Sequence, residues 1–431
     1  MGLKGPVLAI LILFFPVCAL AGESLNGSLE YKFFGHFKKT RQDPQLFANE
    51  GRLRLDMKYK LKPVDIVLTP VVRADDRHFT AGVIDSLKET DERRYYVNFR
   101  EAYVKAPGER SDFYLGKRVY SWGKAEGYNP TDNINPYDYL DFPDREKIGV
   151  FSASLEHSLG NSNIDIVWVP FFTPGRLPER DNRWAGTVEA DTAVVGGQTI
   201  PAGQQVVVEE RELPPDTLKN SQTAGRLRLT IESWDMALSY YHGFDSVPAV
   251  EERFVGPVRH LTPKYNKISV YGFSLVTTLE KLEAHVETAY RHTESGDDDD
   301  FVSYIAGGSY SWDEPLSFVE KFSLYLEYAG EEVTDEKDNP ARYSAKNYTR
   351  PFKRSALGSI IARFNEDAEF ALSGAYNFDE YDFFLQPKLT YKLTDSLKVK
   401  AGFDMLHGAQ DTFWGKWKKN DRFFMNATWY F

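Results

Sequence analysis

The chain of 431 residues has one cysteine and eight histidines. Cys18 falls in the N-terminal segment MGLKGPVLAILILFFPVCALAG, which has one lysine, an apolar stretch from Val7 to Val17 and the triplet Ala19-Leu20-Ala21. A charged start, a short apolar stretch and a small-x-small site form a secretory signal, so residues 1–21 read as signal peptide and 22–431 as the mature chain. Phe15, Pro16 and Val17 before Cys18 make a poor lipoprotein box. Cleavage removes the only thiol, which excludes disulfides, thiolate metal sites and a cysteine nucleophile. Beyond the signal, no apolar run approaches the ~20 residues of a spanning helix, and helical periodicity is hard to find. Enzyme motifs are lacking too: there is no Gly-x-Ser-x-Gly elbow and no His-Glu-x-x-His pair. The histidines are scattered, with only His242, His285 and His292 near the ends of expected strands. Net charge is −11, which argues against a nucleic-acid partner. No composition shift, repeat or linker divides the chain.

What the sequence does have is period-two alternation over segments of about ten residues, the strand signal. In GRLRLDMKYKL, Leu53, Leu55, Met57 and Tyr59 share one face and Arg52, Arg54, Asp56 and Lys58 the other. GRLRLTI repeats the scheme with Arg226 and Arg228. The alternation predicts strands at 25–37, 49–60, 64–75, 93–105, 111–120, 149–158, 163–172, 221–232, 234–243, 266–278, 282–292, 301–312, 318–330, 354–364, 368–377, 381–392, 397–407 and 421–431. Every second connection is short, while 121–148, 173–220 and 331–353 are long. Loops sorted by parity point to an all-β, transmembrane, antiparallel up-and-down barrel of about 18 strands, with short periplasmic turns and long extracellular loops. Aromatics are 15% of residues and gather near expected strand ends, as at Tyr95-Tyr96, Tyr120 with Trp122, Tyr240-Tyr241, Phe383-Phe384 and Trp429-Tyr430, where interfacial girdles would lie. The chain ends in RFFMNATWYF, whose apolar face runs from Phe423 to Phe431. A last strand closing the barrel leaves no edge in lipid, and its terminal Phe431 with Trp429 resembles the signal read by the barrel assembly machinery.

The stretch LGKRVYSWG followed by NPTD resembles the strand-and-loop signature of bacterial outer-membrane porin-like barrels, a group that includes the alginate-export-like porins. The resemblance covers roughly residues 111–172. It implies an 18-stranded pore for passive passage of a solute or polymer, and it carries over no substrate.

Several features are candidates for function. Arg52, Arg54, Lys58, Arg73, Arg94, Arg100, Arg118, Arg226 and Arg228 fall on the inward face, with only Glu30, Asp56 and Asp65 as acids beside them. The later strands mix signs. Such a basic ladder would favour anions, although any wet lumen also needs charges for hydration. The loop after Tyr120 is rich in turn formers and long enough to fold inward as a constriction, with Tyr128, Asn129, Asp132, Asn133, Asp138 and Asp141 as its candidate residues. Asp132, Asp138, Asp141 and Asp144 match no EF-hand spacing, so no metal or other cofactor is expected. In the insert 173–220, apolar residues around Gly196-Gly197 and Pro201-Ala202-Gly203 predict a β-hairpin, as a lumen lid or as an inert extracellular excursion. SGDDDDF at 295–301 reads as a solvated loop tip, with cation bridging to lipopolysaccharide as the sharper alternative.

The expected function is an outer-membrane channel for passive passage of a hydrophilic, anionic solute. Its expected partners are outer-membrane lipid and lipopolysaccharide, the assembly machinery, the solute itself and either a second copy or a periplasmic protein. The alternatives are a barrel sheath or docking component for a periplasmic electron conduit or a lipid- or polymer-export complex, and an outer-membrane hydrolase.

Overall fold

The computed structural model describes residues 24–40, 42–77, 80–84, 89–179, 182–185, 193–195, 198–200, 206–256, 258–294, 298–336, 342–344 and 350–431. The signal segment, Cys18 and His78 lie outside them.

Eighteen antiparallel strands form one closed sheet. They are β1 (Ser24–His36), β2 (Phe47–Leu61), β3 (Val64–Asp75), β4 (Arg94–Ala106), β5 (Ser111–Arg118), β6 (Val150–Leu159), β7 (Ser162–Val169), β8 (Gln222–Ile231) and β9 (Trp234–Phe244). The circuit continues through β10 (Lys267–Leu279), β11 (Leu282–Thr293), β12 (Asp300–Leu316), β13 (Val319–Asp335), β14 (Arg354–Arg363), β15 (Ala368–Asn377), β16 (Asp382–Lys392), β17 (Leu397–His407) and β18 (Arg422–Tyr430). Each strand answers to one expected from the alternation. Their ends differ where tertiary pairing decides. β12 and β13 extend together through Trp312↔Phe322 and Asp313↔Lys321, because a hairpin can pair with itself past its neighbours. β5 stops at Arg118, where the following loop turns inward.

Closure is a ladder from Ser28 opposite Tyr430 to His36 opposite Arg422. It satisfies the backbone of both terminal strands, and each unpaired group would cost several kcal/mol in lipid. The C-terminus completes it: Gly27 N donates to Phe431 O at 2.8 Å and Phe431 N to Gly27 O at 3.1 Å. A Cβ on Gly27 would stand 2.5 Å from the Phe431 ring, so the glycine is what lets that ring lie over β1. Trp429, 5.1 Å from Phe431 between ring centroids, and Met425 are exposed on the same outer face.

Outward positions carry Leu29, Phe113, Leu115, Ile166, Leu238 and Leu326, all exposed, while polar and charged side chains turn inward. The expected aromatic girdle is corrected at several positions. Tyr95 and Tyr241 are buried because consecutive residues on a strand take opposite faces and only one of each pair can meet lipid, and Tyr120 and Trp122 are buried because they lie past the end of β5, where the chain turns inward.

On the long-loop rim, Thr80–Ile84 pairs parallel with the start of β4. A second small sheet joins Val206–Val208, Val258–Lys264, Ala249–Val255 and Arg342–Ser344. Ala193–Val195 and Gln198–Ile200 form the expected hairpin. Of the acidic segment 295–301, residues 295–297 lie outside the described residues, and the rest is not solvated. Asp298, Asp299 and Asp300 are buried. Arg350 bonds Asp299 at 2.8 Å and Glu331 through its Nε at 2.8 Å. Asp300 accepts from Thr293 N at 2.8 Å and lies 2.7 Å from His292 Nδ1. These described aspartates are engaged within the protein.

Candidate functional site: the lumen loop and its two walls

The loop between β5 and β6, residues 119–149, leaves the rim and crosses the lumen. Two local devices shape it. Asn135 ties the loop's two ends, accepting from Tyr120 N at 2.7 Å and donating to Arg118 O at 3.1 Å and Ile148 O at 2.7 Å. Gly123 sits at φ +100°, where a Cβ would lie 2.3 Å from Asn129 Oδ1, so the turn needs a residue without one. Asn129 and Asn133 close further turns onto Ala125 O and Pro130 O at 2.9 and 2.8 Å.

One side of the loop presents carboxylates to the basic wall. Asp138 takes a bidentate contact from Arg94 at 2.8 and 3.1 Å, and Arg176 approaches it at 3.3 Å. Asp141 accepts from Arg422 at 2.7 and 2.9 Å and also binds Arg77. Asp144 binds Lys32, and Glu146 binds Arg52 and, at 3.3 Å, Arg73. Burial opposes ionisation of Asp138, Asp141 and Glu146, but the facing guanidinium groups outweigh it and hold all three carboxyls below the usual carboxylate range. The other side of the loop presents backbone donors to an acidic wall. Glu287 on β11 accepts from Lys124 N, Thr131 N and Thr131 Oγ1 at 3.0, 2.8 and 2.8 Å. Glu327 on β13 accepts from Glu126 N, Gly127 N and His285 Nε2 at 2.7, 2.9 and 2.9 Å. Tyr128 lies between the walls against Phe352, with centroids 5.6 Å apart, and burial pushes its phenol up to about 12.

Most of the expected basic ladder is paired with carboxylates. Arg52 meets Glu30 at 2.7 Å as well as Glu146, and Arg54 meets Asp56 at 2.8 Å. Lys58 meets Asp65 at 3.4 Å, and Arg73 meets Glu50 at 3.5 Å. Arg118 meets Glu156 at 3.1 Å and stands 3.7 Å over the Tyr114 ring. Arg226 and Arg228 share Asp165 at 2.8 and 3.1 Å. Only Arg100 of the set has no carboxylate partner among the described residues; it lines a small cavity with Arg73, Arg94 and Glu146. Most of the neutralising acids, Glu30, Glu50, Asp56, Asp65, Glu156 and Asp165, stand on the strands themselves, and the loop adds Asp138 and Glu146. The four loop aspartates do not converge either, since Asp132 pairs with Lys147 and the others go to separate cations.

Sequence reasoning missed Glu287 and Glu327 as loop anchors, and it missed Arg145. The signal for the two glutamates was their inward parity beside a loop too long for the rim. Arg145 is exposed, with Phe142 5.3 Å beneath its guanidinium, and no carboxylate pairs with it among the described residues. It lines two lumen cavities of about 220 and 370 Å³, whose shared wall is Glu126, Gly127, Phe142, Arg145 and Phe352. Toward the short-turn rim Lys388, Lys398 and Lys400 stand on neighbouring strands, also without a carboxylate partner among the described residues.

The long-loop end of the lumen is filled by an aromatic cluster. Phe142 packs on Trp417 at 4.6 Å, Trp417 donates from Nε1 to Trp184 O at 2.9 Å, and Asn420 Nδ2 donates to Arg183 O at 3.0 Å. The three histidines do not meet as one set. His242 Nδ1 lies 3.1 Å from Ser269 Oγ and 2.9 Å from Glu294. A Ser-His-acid relay needs those partners on opposite ring nitrogens. His285 and His292 serve Glu327 and Asp300 separately.

A closed eighteen-stranded barrel with short turns on one rim, long loops on the other and a loop bonded across the lumen is the porin-type β-barrel fold. Solved structures agree with that fold. The chain is similar to OccK11 (OpdR) of Pseudomonas aeruginosa, at 11% identity and a TM-score of 0.51 over 94% of this chain and 95% of that one. It is similar to the outer membrane protein OpdK of the same organism, at 8% identity and 0.51 over 95% and 100%. It is also similar to OccAB3 of Acinetobacter baumannii, at 11% identity and 0.50 over 94% and 98%. No family model matches the chain, and no curated protein matches it by sequence.

Proposed function

We propose that the protein is a diffusion channel of the Gram-negative outer membrane, exported through a signal at residues 1–21, that passes small hydrophilic solutes and favours anions. The observation that carries the preference is Arg145, a guanidinium with no carboxylate partner among the described residues that lines both lumen cavities. A fixed charge at a constriction concentrates counter-ions. Lys388, Lys398 and Lys400 extend the positive field, whereas the paired arginines contribute less because each sits beside a carboxylate. The sheath and polymer-export readings need a lumen wide enough for a macromolecule, and a loop anchored to both walls leaves cavities of only a few hundred Å³.

The test is planar-bilayer recording of wild type and Arg145→Gln in a salt gradient. The variant's reversal potential should move toward cations at low salt, and the difference should shrink as ionic strength rises past ~0.1 M, where the Debye length falls to about 10 Å. A folded variant with wild-type selectivity at low salt would overturn the anion reading. Absence of conductance in the folded wild type would overturn the channel.

A further inference from the structure

The small cavity beside Arg100 lies between the barrel wall and the end of the lumen loop. Residues of β3 and β4 form one side of it and residues 146–149 the other. It measures about 30 Å³ and shares no lining residue with either of the two larger lumen cavities. A buried water needs ~10–15 Å³ of such space, so the cavity has room for one or two particles of that size.

The charges around it do not balance. Arg73, Arg94, Arg100, Lys147 and Arg176 line it, against Glu89, Asp138 and Glu146. Two of these carboxylates are shared with cations outside the cavity, Glu89 with Lys117 and Glu146 with Arg52. Acids behind the wall supply part of the difference. Glu50 lies 3.5 Å from both Arg73 and Arg94, and Asp132 binds Lys147. Arg100 receives no carboxylate among the described residues. Its neighbour Glu101 turns to Val119 N, 3.1 Å away, and is not part of the lining.

The hydrogen-bond donors do not balance either. Arg176 is buried, with one terminal nitrogen on Glu89 and the other 3.3 Å from Asp138, and its Nε has no acceptor. A buried N–H left without an acceptor is costly. The Arg100 guanidinium, half-buried on the same wall, has no acceptor among the described residues. A water would satisfy these donors and leave the surplus charge. A monovalent anion answers both, because its hydrogen bonds to guanidinium groups are charge-assisted.

We propose that this cavity binds one chloride-sized anion between Arg100 and Arg176, and that the ion joins the end of the lumen loop to β4. Loop and strand are already in close contact there, since a Cβ on Gly149 would stand 2.3 Å from Arg100 O. Without the ion, Arg100, Arg94 and Arg176 face one another across the cavity, and their repulsion loosens residues 146–149. The site goes beyond the channel reading, because the ion is a fixed part of the loop's anchorage and not the solute that passes.

The test uses the folded barrel in detergent, with bromide as the probe. Crystals soaked in bromide should give one anomalous-scattering peak between Arg100 and Arg176, and Arg100→Gln should lack it. In solution, protease cutting within residues 119–149 is compared in chloride and in gluconate, an anion too large for the cavity, at equal ionic strength. Wild type should be cut about tenfold faster in gluconate, as expected for loss of one charge-assisted contact. Arg100→Gln should be cut at the same rate in both salts. If that variant fails to fold, the two wild-type measurements still decide. Absence of a bromide peak would overturn the site, and so would a salt effect that persists in folded Arg100→Gln. A peak with equal cutting in both salts would mark an adventitious ion only and overturn the joint. Neither readout depends on conductance, so a failed channel reading would leave this result standing.

Discussion

Replacing Asp141 by Ala would test whether the lumen loop is held by its carboxylates. Asp141, Arg422 and Arg77 have side chains 0, 2 and 3% exposed, and the carboxylate takes two bonds from Arg422 and one from Arg77. Removing one member of a buried pair costs ~3–5 kcal/mol, because it strands the other charge. Arg422 keeps Asp404 at 2.6 Å and Arg77 keeps Glu50 at 2.8 Å, so the cost should fall near the lower end. The barrel ladders are untouched, and the loss is borne by the loop. At about 1.4 kcal/mol per tenfold, ~3 kcal/mol raises the detached population of residues 137–144 roughly a hundredfold. Glu287, Glu327 and the Asp138–Arg94 pair still hold the flanking parts. Single-channel records should show larger open-channel noise and a higher mean conductance, and protease added to the long-loop side should cut within the loop while the barrel survives. Unchanged noise, conductance and protease resistance would refute the latch. The pH dependence follows in sign. A carboxyl depressed in the folded state contributes stability that is full above its unfolded value of ~4 and is lost only as pH falls through the depressed value. Wild-type loop attachment should therefore be constant from about pH 5 to about pH 8.

Two further outcomes are expected. Gly27→Leu forces a side chain into the 2.5 Å gap under Phe431, and Phe431→Asp removes the ring, so both should reduce heat-modifiable barrel in outer membranes; normal levels in both would mean that the seam does not depend on this contact. Burial pulls the Lys416 ammonium down to about 7, against Glu380 and Asp382. Because the folded state then binds fewer protons than the unfolded one, the packing of loop 408–421 should strengthen as pH rises from about 7 toward about 10. Emission from Trp414 and Trp417 should follow with a midpoint near 7 and lose it in Lys416→Met. A flat wild-type profile would show that the Phe413 and Trp417 rings, 4.6 and 4.2 Å from Nζ, keep the ammonium charged.

The barrel was legible because its physics is local. A strand between lipid and water must alternate, and RLRLDMKYK alternates whatever lies elsewhere in the chain. Loop parity followed from the same cause, since hairpins of an even-stranded barrel sort themselves to two rims. The inward face of the basic residues was readable for that reason, and so was the tendency of residues 121–148 to turn inward. What those residues meet was not readable. Beside their strand partners Glu30 and Glu50, Arg52, Arg73 and Arg94 meet Glu146 and Asp138, which lie many residues away on a loop with no period. Asp298 to Asp300 looked solvated because the sequence places like charges together and the partner, Arg350, elsewhere.

Sequence alone thus determined the number of strands, their faces and the closing role of the last one, because two solvents impose those choices residue by residue. Only the tertiary structure decided which charges remain free. Burial makes an unpaired charge costly, so the fold matches nearly every buried cation to a carboxylate wherever the chain can bring one. Among the described residues Arg145, Lys388, Lys398 and Lys400 stay without a carboxylate beside open lumen, where water bears that cost.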